Sequence, residues 1–345
     1  MTTAAHRALR TLARGVPLTR AEARDAVSAL LDEDISGVIA GGLLAALAAR
    51  GETIEAVAGA VDVLRARATR PPVADALAAR CIDVCGTGGD GLGTFNVSTA
   101  AAFVVAGAGT PVAKHGNRAV SSSCGSADVL AALGVEIEMT PHRAADALAR
   151  ANVTFFFAPL YHPVMKKIGP IRRELGVRTV FNLAGPLSNP LGVTRQIVGV
   201  DHPERVPVIA GALAELGAKR ALVFSHETGG DELLPFGRTF AADVRGTHVE
   251  LLELSAPDFG LEEGSPEPLK GGDAGTNAEI LRAILGGFRR DARDVVLMNA
   301  AAALVVSGLA ADYREGVARA ARSIDEGKAR EALDALVRAS RGVSS

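Results

Sequence analysis

Five glycines fall within the eight positions 86–93, in the run GTGGDGLGTFNVST that spans 86–99. Each glycine costs backbone entropy on folding, so packing alone does not account for so dense a set. The run follows a short β-prone stretch at 81–85 and precedes an Ala/Val stretch at 100–106 that suits a helix. A strand, a glycine loop and a helix in that order commit this part of the chain to an α/β unit. Bare main-chain N–H groups in such a loop form an anion cradle. Ser98 and Thr99 stand where the helix would start, and a hydroxyl cap at a helix N-terminus receives phosphate.

Two nucleotide-binding patterns compete for this loop and both fail. Gly86-x-Gly88-x-x-Gly91 matches the dinucleotide fingerprint in form. That fingerprint requires its helix to open within the glycines and an acid about 20 residues further on. Here the loop continues to Asn96, and residues 106–111 hold no acid. The triphosphate-binding loop fails because no Gly-Lys-Ser or Gly-Lys-Thr occurs.

A second polar segment, KHGNRAVSSSCGS at 114–126, follows a strand expected at 111–113. Lys114, Arg118 and the serine hydroxyls suit phosphate oxygens, and Gly116 and Gly125 permit close approach of the chain. Ligand loops gather at strand ends of parallel sheets. Two anion-binding loops suggest a ligand with phosphates at both ends.

The surrounding pattern agrees. Residues 1–70 read as helices only: Thr19 and Glu22 form a capping box, Gly51 is a stop, and a further helix begins near Thr53. Four arginines and no acid in the first twenty residues mimic a transit peptide, but the pattern runs straight into more helices, which favours a mature helix. Pro71 and Pro72 mark a linker. Beyond residue 80, β-prone runs at 81–85, 153–157, 179–181, 197–200 and 221–224 alternate with helix-length Ala/Leu stretches. Such alternation predicts a mostly parallel sheet with both faces covered. Residues 258–273, rich in Gly, Pro and Glu, read as an exposed loop.

At 345 residues the chain suggests about two domains. Lys plus Arg number 37 against 39 acids, a net charge of -2, which argues against a nucleic-acid binder. The most apolar run, 295–311, holds Asn299 and Ser307 between Asp294 and Asp312, and fits a buried helix better than a membrane span. Cys81, Cys85 and Cys124 cannot pair completely, so a reducing, cytoplasmic compartment is expected, and Cys81 with Cys85 lacks the further ligands of a zinc site.

The two loops together resemble those of the anthranilate phosphoribosyltransferases. The likeness continues through YHPVMK at 161–166, IRRELG at 171–176, FNLAGP at 181–186 and NAAAA at 299–303. It implies a nucleoside phosphorylase/phosphoribosyltransferase-like fold: a small all-helical N-terminal domain, residues 1–70 joined by helices from about 161–178, and a larger α/β domain at 71–345 with a central, mostly parallel sheet. It implies transfer of a phosphoribosyl group from 5-phosphoribosyl 1-diphosphate to anthranilate in tryptophan biosynthesis, by a homodimer that uses up to two Mg²⁺ per subunit.

By the same resemblance, Gly86, Gly89, Asp90, Thr94, Asn96, Val97, Ser98 and Thr99 contact the phosphoribosyl donor. Lys114, His115, Gly116, Asn117, Arg118, Ala119, Val120, Ser121, Ser122 and Ser126 hold its other parts. Ser98, Asp231 and Glu232 serve the metal. Gly86, His115, Asn117, Arg172, Gly185 and Pro186 face anthranilate, while His162 reads as a packed loop histidine. Without the family, Asp231-Glu232 would read as a solvated acidic pair and Arg172 as a surface helix arginine. Gly229-Gly230 before the acids and Leu233-Leu234-Pro235 after them depart from the family pattern and predict a looser metal loop; Cys124 replaces a more common serine.

The residue types suit that chemistry. Departure of diphosphate builds negative charge on the leaving group, which needs preorganised donors and a hard cation. A neutral aromatic amine carries a free lone pair and needs no strong base, so positioning dominates. Two rivals stand: a nucleoside phosphorylase-like enzyme of the same fold, disfavoured by the complete 114–118 segment, and a non-catalytic nucleic-acid-binding relative, which would show a degraded donor loop and a basic surface.

Overall fold

Short polar caps and glycine stops set the N-terminal helices of the computed structural model, which describes residues 3–32, 34–119, 123–288 and 292–343. Helix α1 (Ala4–Ala13) is capped by Thr3. Helix α2 (Arg20–Asp32) carries the expected capping box: Thr19 N–H donates to Glu22 Oε2 at 2.9 Å, and Glu22 N–H donates to Thr19 Oγ1 at 3.3 Å. Helix α3 (Gly37–Arg50) ends at Gly51, whose φ is 79°. Thr53 caps α4 (Ile54–Ala66). Helices α2 and α4 pack closely. At Gly59 of α4 a Cβ would lie 2.6 Å from the Arg20 carbonyl oxygen, so any side chain there would push the pair apart.

Strands and helices then alternate: α5 (Asp75–Ala78), β1 (Ile82–Gly86), α6 (Val97–Gly107), β2 (Val112–Gly116), α7 (Ser126–Ala132), α8 (Pro141–Ala151), β3 (Val153–Phe157), α9 (Ala158–Tyr161), α10 (Met165–Leu175) and α11 (Val180–Ala184). They continue with β4 (Arg195–Gly199), α12 (Val206–Glu215), β5 (Arg220–His226), β6 (Thr239–Arg245), β7 (His248–Leu254), α13 (Ala274–Leu285), α14 (Arg293–Ser307), α15 (Tyr313–Asp325) and α16 (Lys328–Ser340). The seven strands lie in the order β3-β2-β1-β4-β5-β6-β7; the first five are mutually parallel, β6 is antiparallel to β5, and β7 is antiparallel to β6.

Strand alternation divides the interior into two layers. Leu222 and Phe224 of β5 face the core of α6, α14 and α16, whereas Ala221 and Val223 face the core shared with α2, α4 and α12. With both faces covered, the central strands are buried and mostly apolar, the exceptions including Asp83, Lys114, His115 and Gln196. Helices α10 and α11 return to pack on α3 and α4. The apolar run near residue 300 is the buried helix α14, and no helix among the described residues is long and apolar enough to cross a membrane.

Four expectations need correction. Residues 179–181 are not a strand but the cap and first turn of α11. Asn182 Oδ1 accepts from the Thr179 N–H at 3.0 Å, and this local cap outweighs the β-propensity of Val180 and Phe181. The strand expected at 111–113 runs on through Lys114 and His115, which are therefore buried sheet residues rather than loop residues. The strand expected at 81–85 runs one residue later, to Gly86. Residues 258–273 are largely exposed, as expected, but Phe259 and Leu269 are buried. The hairpin β6–β7, turned at Gly246 with φ 62°, was not anticipated.

Candidate active site

The chain moves from β1 outward to β2 and β3 on one side, while β4 and β5 extend the sheet on the other. The carboxyl ends of β1 and β4, Gly86 paired with Gly199, therefore border the crevice where open parallel sheets place ligands. The glycine loop leaves β1 at this point. Gly88, Gly89, Gly91 and Gly93 all have φ between 65° and 76°, a region that side chains disfavour. Asn96 ends the loop, so Val97, Ser98 and Thr99 form the first turn of α6. Exposed amides and a helix N-terminus thus converge at the strand ends.

A segment read from sequence as mere exposed loop braces this cradle. Gly271 N–H donates to Gly93 O at 2.8 Å, and Phe95 N–H donates to Leu269 O at 3.0 Å. Asn277 Nδ2 donates to Asn96 Oδ1 at 2.9 Å, and Asn96 Nδ2 donates to Cys124 O at 3.1 Å. Asn96 therefore ties the first loop to the second.

Asp231 and Glu232 project into the same place. A Cβ on Gly86 would sit 2.3 Å from Asp231 Oδ2, and one on Gly199 would sit 1.7 Å from the Asp231 carbonyl oxygen. Both strand ends must be glycine for the acidic loop to reach the cradle. Asp231 Oδ2 accepts from the Gly88 N–H at 2.7 Å, and Glu232 Oε1 accepts from the Ser98 N–H at 3.3 Å. Burial, then the charge of Asp90, pushes the Asp231 carboxyl up to about 6. Burial, then Asp231, pushes Glu232 well above its ordinary range. Two desolvated carboxylates side by side form a site that favours a cation.

The departures around this pair do not loosen it. Gly229 takes φ 86°, and a Cβ on Gly230 would meet the Leu92 side chain at 2.7 Å, so small residues let the acidic loop pass beneath the tip of the glycine loop. Leu233 and Leu234 are buried. The buried Asn299 of α14 clamps Leu233 from both sides, its Nδ2 donating to Leu233 O at 2.9 Å and its Oδ1 accepting from Leu233 N–H at 3.2 Å.

Lys114, on β2 beside β1, is buried; its Nζ donates to Val84 O at 2.5 Å and Ser98 Oγ at 3.3 Å. Burial lowers its pKa, opposed chiefly by Asp83. Asp83 is itself buried and pushed up to about 6 by desolvation; it accepts from the Asn189 Nδ2 at 2.8 Å and the His115 N–H at 3.2 Å. Burial, with His162 next, drives His115 down to about 3, so it stays neutral near pH 7. Its Nε2 is buried without a hydrogen-bond partner, and the two histidine rings lie 5.1 Å apart.

The second loop is shaped by Asp128 of α7. Its carboxylate accepts from the Ala119 and Gly125 N–H groups at 2.9 and 3.0 Å and pairs with Arg118 Nη1 at 2.9 Å. Arg118 also lies over the Phe157 ring at 5.8 Å. A Cβ on Gly116 would sit 2.2 Å from Ser126 Oγ, and Ser126 Oγ donates to Asn117 O at 3.3 Å. Val120, Ser121 and Ser122 lie outside the described residues.

On the helical side, Arg172 Nη2 donates to Asn182 Oδ1 at 3.1 Å, and its guanidinium lies over the Phe181 ring at 5.6 Å. Pro186 O accepts from Gln196 Nε2 of β4 at 2.6 Å, which seats the Gly185-Pro186 turn beside the central strands. The structure thus gathers the glycine loop, Lys114 and the acidic pair by direct contacts. Arg172 and the turn stand on the α10–α11 side. Four contributors escaped the sequence reading: Asn277, Asn299, Asp128 and Arg178, whose Nη1 donates to Gly88 O at 2.6 Å. Asn299 stood in a noted motif and Asp128 at a helix N3 position; Asn277 and Arg178 act across long separations and carry no local signal.

Known proteins share this fold. Residues 6–68 match the family model "Glycosyl transferase family, helical bundle domain", and residues 78–330 match "Glycosyl transferase family, a/b domain". The chain is 50% identical over 332 residues to anthranilate phosphoribosyltransferase of Anaeromyxobacter dehalogenans (strain 2CP-C), covering 96% of this chain and 97% of that one. It is 47% identical over 329 residues to that of Rhodopseudomonas palustris (strain TIE-1), covering 94% and 95%. Among solved structures, anthranilate phosphoribosyltransferase from Thermus thermophilus superposes with a TM-score of 0.90 at 40% identity, covering 97% and 99% of the two chains. The Saccharomyces cerevisiae enzyme in complex with PRPP and Mg superposes with a TM-score of 0.88 at 27% identity, covering 98% of each chain.

Proposed function

We propose how the residues above act from one premise: the chain belongs to the anthranilate phosphoribosyltransferase family. Its reaction transfers the phosphoribosyl group of 5-phosphoribosyl 1-diphosphate to the amine of anthranilate, giving N-(5-phosphoribosyl)anthranilate and diphosphate, in tryptophan biosynthesis. The observation that carries this reading is the convergence of the glycine-loop amides, the α6 N-terminus and the Asp231-Glu232 pair at the ends of β1 and β4.

In our reading, the diphosphate of the donor lies against the main chain of Gly86–Thr99. The residues expected there from sequence, Gly86, Gly89, Asp90, Thr94, Asn96, Val97, Ser98 and Thr99, line one loop and one helix start. Lys114 brings a buried ammonium to the base of that cradle through Ser98. The second loop, with Gly116, Asn117, Arg118, Ala119 and Ser126, takes the rest of the donor. Asp128 preorganises it by holding two of its amides, so little ordering is left to the ligand.

The donor set suits Mg²⁺. Asp231 and Glu232 offer hard carboxylate oxygens whose raised pKa values reflect uncompensated charge, and Asp90 Oδ2 is buried without a hydrogen-bond partner. Mg²⁺ commonly takes one or two carboxylates plus substrate phosphates and water. When bound it neutralises charge on the departing diphosphate. We assign Asp231 and Glu232, with Ser98, to this role, and extend it to two ions per subunit. The carboxylates must lose protons to bind metal, and burial pushes the Asp231 carboxyl up to about 6. Below that pH, protons compete with the ion. The Mg²⁺ concentration for half-maximal activity should rise roughly tenfold per pH unit for one displaced proton. Metal titrations at about pH 5 and about pH 8 check this; superimposable curves would contradict it.

On the acceptor side, we place anthranilate among Arg172, His115, Asn117, Gly86 and the Gly185-Pro186 turn. The partly buried Arg172 guanidinium offers paired N–H donors to the carboxylate. A neutral His115, kept so by burial, can orient the amine without repelling the positive charge that it develops. Arg172→Ala should raise the KM for anthranilate by about ten- to a hundredfold with a smaller change in kcat, as loss of a charge-assisted hydrogen bond would. Steady-state kinetics at saturating donor measure it, and an unchanged KM would remove Arg172 from the acceptor site.

We further place the boundary between the helical and α/β parts near residue 70, with α10 and α11 rejoining the helices, and propose a cytoplasmic homodimer. The reaction itself is tested by mixing the protein with phosphoribosyl diphosphate, anthranilate and Mg²⁺ and following anthranilate fluorescence. Loss of fluorescence that needs both the donor and Mg²⁺ supports the assignment. Persistent fluorescence overturns it.

A further inference from the structure

Arg178 lies in the connection between α10 and α11 and reaches across to the glycine loop. Its Nη1 donates to Gly88 O at 2.6 Å, and its Nε stands 3.5 Å from Asp201 Oδ2, a carboxylate already held by Arg205 at 2.6 Å. Nε and Nη2 are buried and make no hydrogen bond. Leaving such donors unsatisfied is costly, and one carbonyl hydrogen bond with a long ion pair to Asp201 is a small return for it.

The carbonyl that it holds has a particular consequence. The peptide joining Gly88 to Gly89 is trans and planar, so its C=O and N–H point in opposite directions. Fixing the Gly88 oxygen therefore fixes the direction of the Gly89 N–H. Packing does not hold this peptide: both glycines sit at positive φ, 65° and 76°, and a Cβ at Gly88 would find no atom within 4 Å. Glycine dihedrals are soft, and the plane would rotate freely without a tether. The preceding peptide is tethered separately, through the Gly88 N–H to Asp231 Oδ2 at 2.7 Å.

We propose that Arg178 is a positioning residue for the phosphoribosyl donor: by holding the Gly88 carbonyl, it aims the Gly89 N–H at the bound diphosphate. This inference rests on the reading of 86–99 as the diphosphate cradle. Its effect falls on donor binding, because the hydrogen bond that Arg178 makes is to the glycine loop.

The test compares the parent enzyme with Arg178→Ala and Arg178→Lys. Arg178→Ala should raise the KM for phosphoribosyl diphosphate about ten- to a hundredfold while the KM for anthranilate stays within about twofold. Arg178→Lys keeps one donor and the charge beside Asp201, and should recover part of the loss. Millimolar guanidinium ion should lower the donor KM of Arg178→Ala and leave the parent unchanged. Calorimetric titration with inorganic diphosphate and Mg²⁺ should show the same weakening without turnover. A donor KM within twofold of the parent in Arg178→Ala, or equal rises for both substrates, overturns the assignment. If the parent itself consumes no anthranilate, the proposed reaction fails, and the diphosphate titration still decides the role of Arg178.

Discussion

Replacing Asp231 by Asn together with Glu232 by Gln should lower kcat by about a thousandfold and abolish the response to Mg²⁺. The magnitude follows from the several kcal/mol that a metal ion contributes to a charged transition state, at about 1.4 kcal/mol per decade. A second readout separates this from general damage. In the folded protein, burial raises the pKa of both carboxyl groups, helped by the charge of Asp90 at Asp231 and by that of Asp231 at Glu232. Groups with raised pKa bind protons more tightly when folded, so the charged pair costs stability at neutral pH, and that cost disappears as pH falls below the unfolded carboxyl range of about 4. The neutral amides keep the shape and remove the charge. In metal-free buffer at neutral pH the double variant should therefore unfold at the same temperature as the parent or higher. Reduced activity with undiminished thermal stability is the predicted pair of results. Unchanged metal dependence would make the acids bystanders.

Gly199→Ala should cost about a hundredfold in kcat/KM, although the residue carries no side chain and binds nothing. Gly199 is the last residue of β4, and its added Cβ would fall 1.7 Å from the Asp231 carbonyl oxygen. The flanking structure cannot yield easily: Gly199 O accepts from the Thr87 N–H at 2.9 Å, and Leu233 is clamped by Asn299. The acidic loop must shift by an ångström or more relative to the glycine loop, and misplacement on that scale can cost about 10²-fold. The apparent affinity for Mg²⁺ and for the donor should fall together, because the shift separates Asp231 and Glu232 from Gly88 and Ser98. Kinetics at varied Mg²⁺ and donor, with a thermal melt as a folding control, measure this. Parent-like kinetics would mean that the close approach of β4 to the acidic loop is not required.

Local chemistry made much of this site legible in advance. The glycine run, the hydroxyls at the start of α6 and the capping box at Thr19 declare themselves within a few residues. What stayed hidden depends on distance along the chain. Lys114 reads as a loop residue because its burial becomes tolerable only with Asp83, on the neighbouring strand. Residues 269–271 read as solvent-exposed because their partners are main-chain groups of 93–95. Gly229-Gly230 read as a weakness until Leu92 is seen resting against Gly230. Thr179 to Phe181 read as a strand because a cap made by Asn182 competes with β-propensity in a way that composition does not reveal. The β6–β7 hairpin had a signal in Gly246, but adjacent Leu251 and Leu252 break the alternation in 248–254, and Leu251 is exposed.

The most direct test is a crystal structure of the protein soaked with phosphoribosyl diphosphate and Mg²⁺. The diphosphate oxygens should lie within hydrogen-bond distance of main-chain amides in Gly86–Thr99, with metal between them and the carboxylates of Asp231 and Glu232. A donor bound elsewhere, with those amides turned away and the acidic pair bare, would contradict the account.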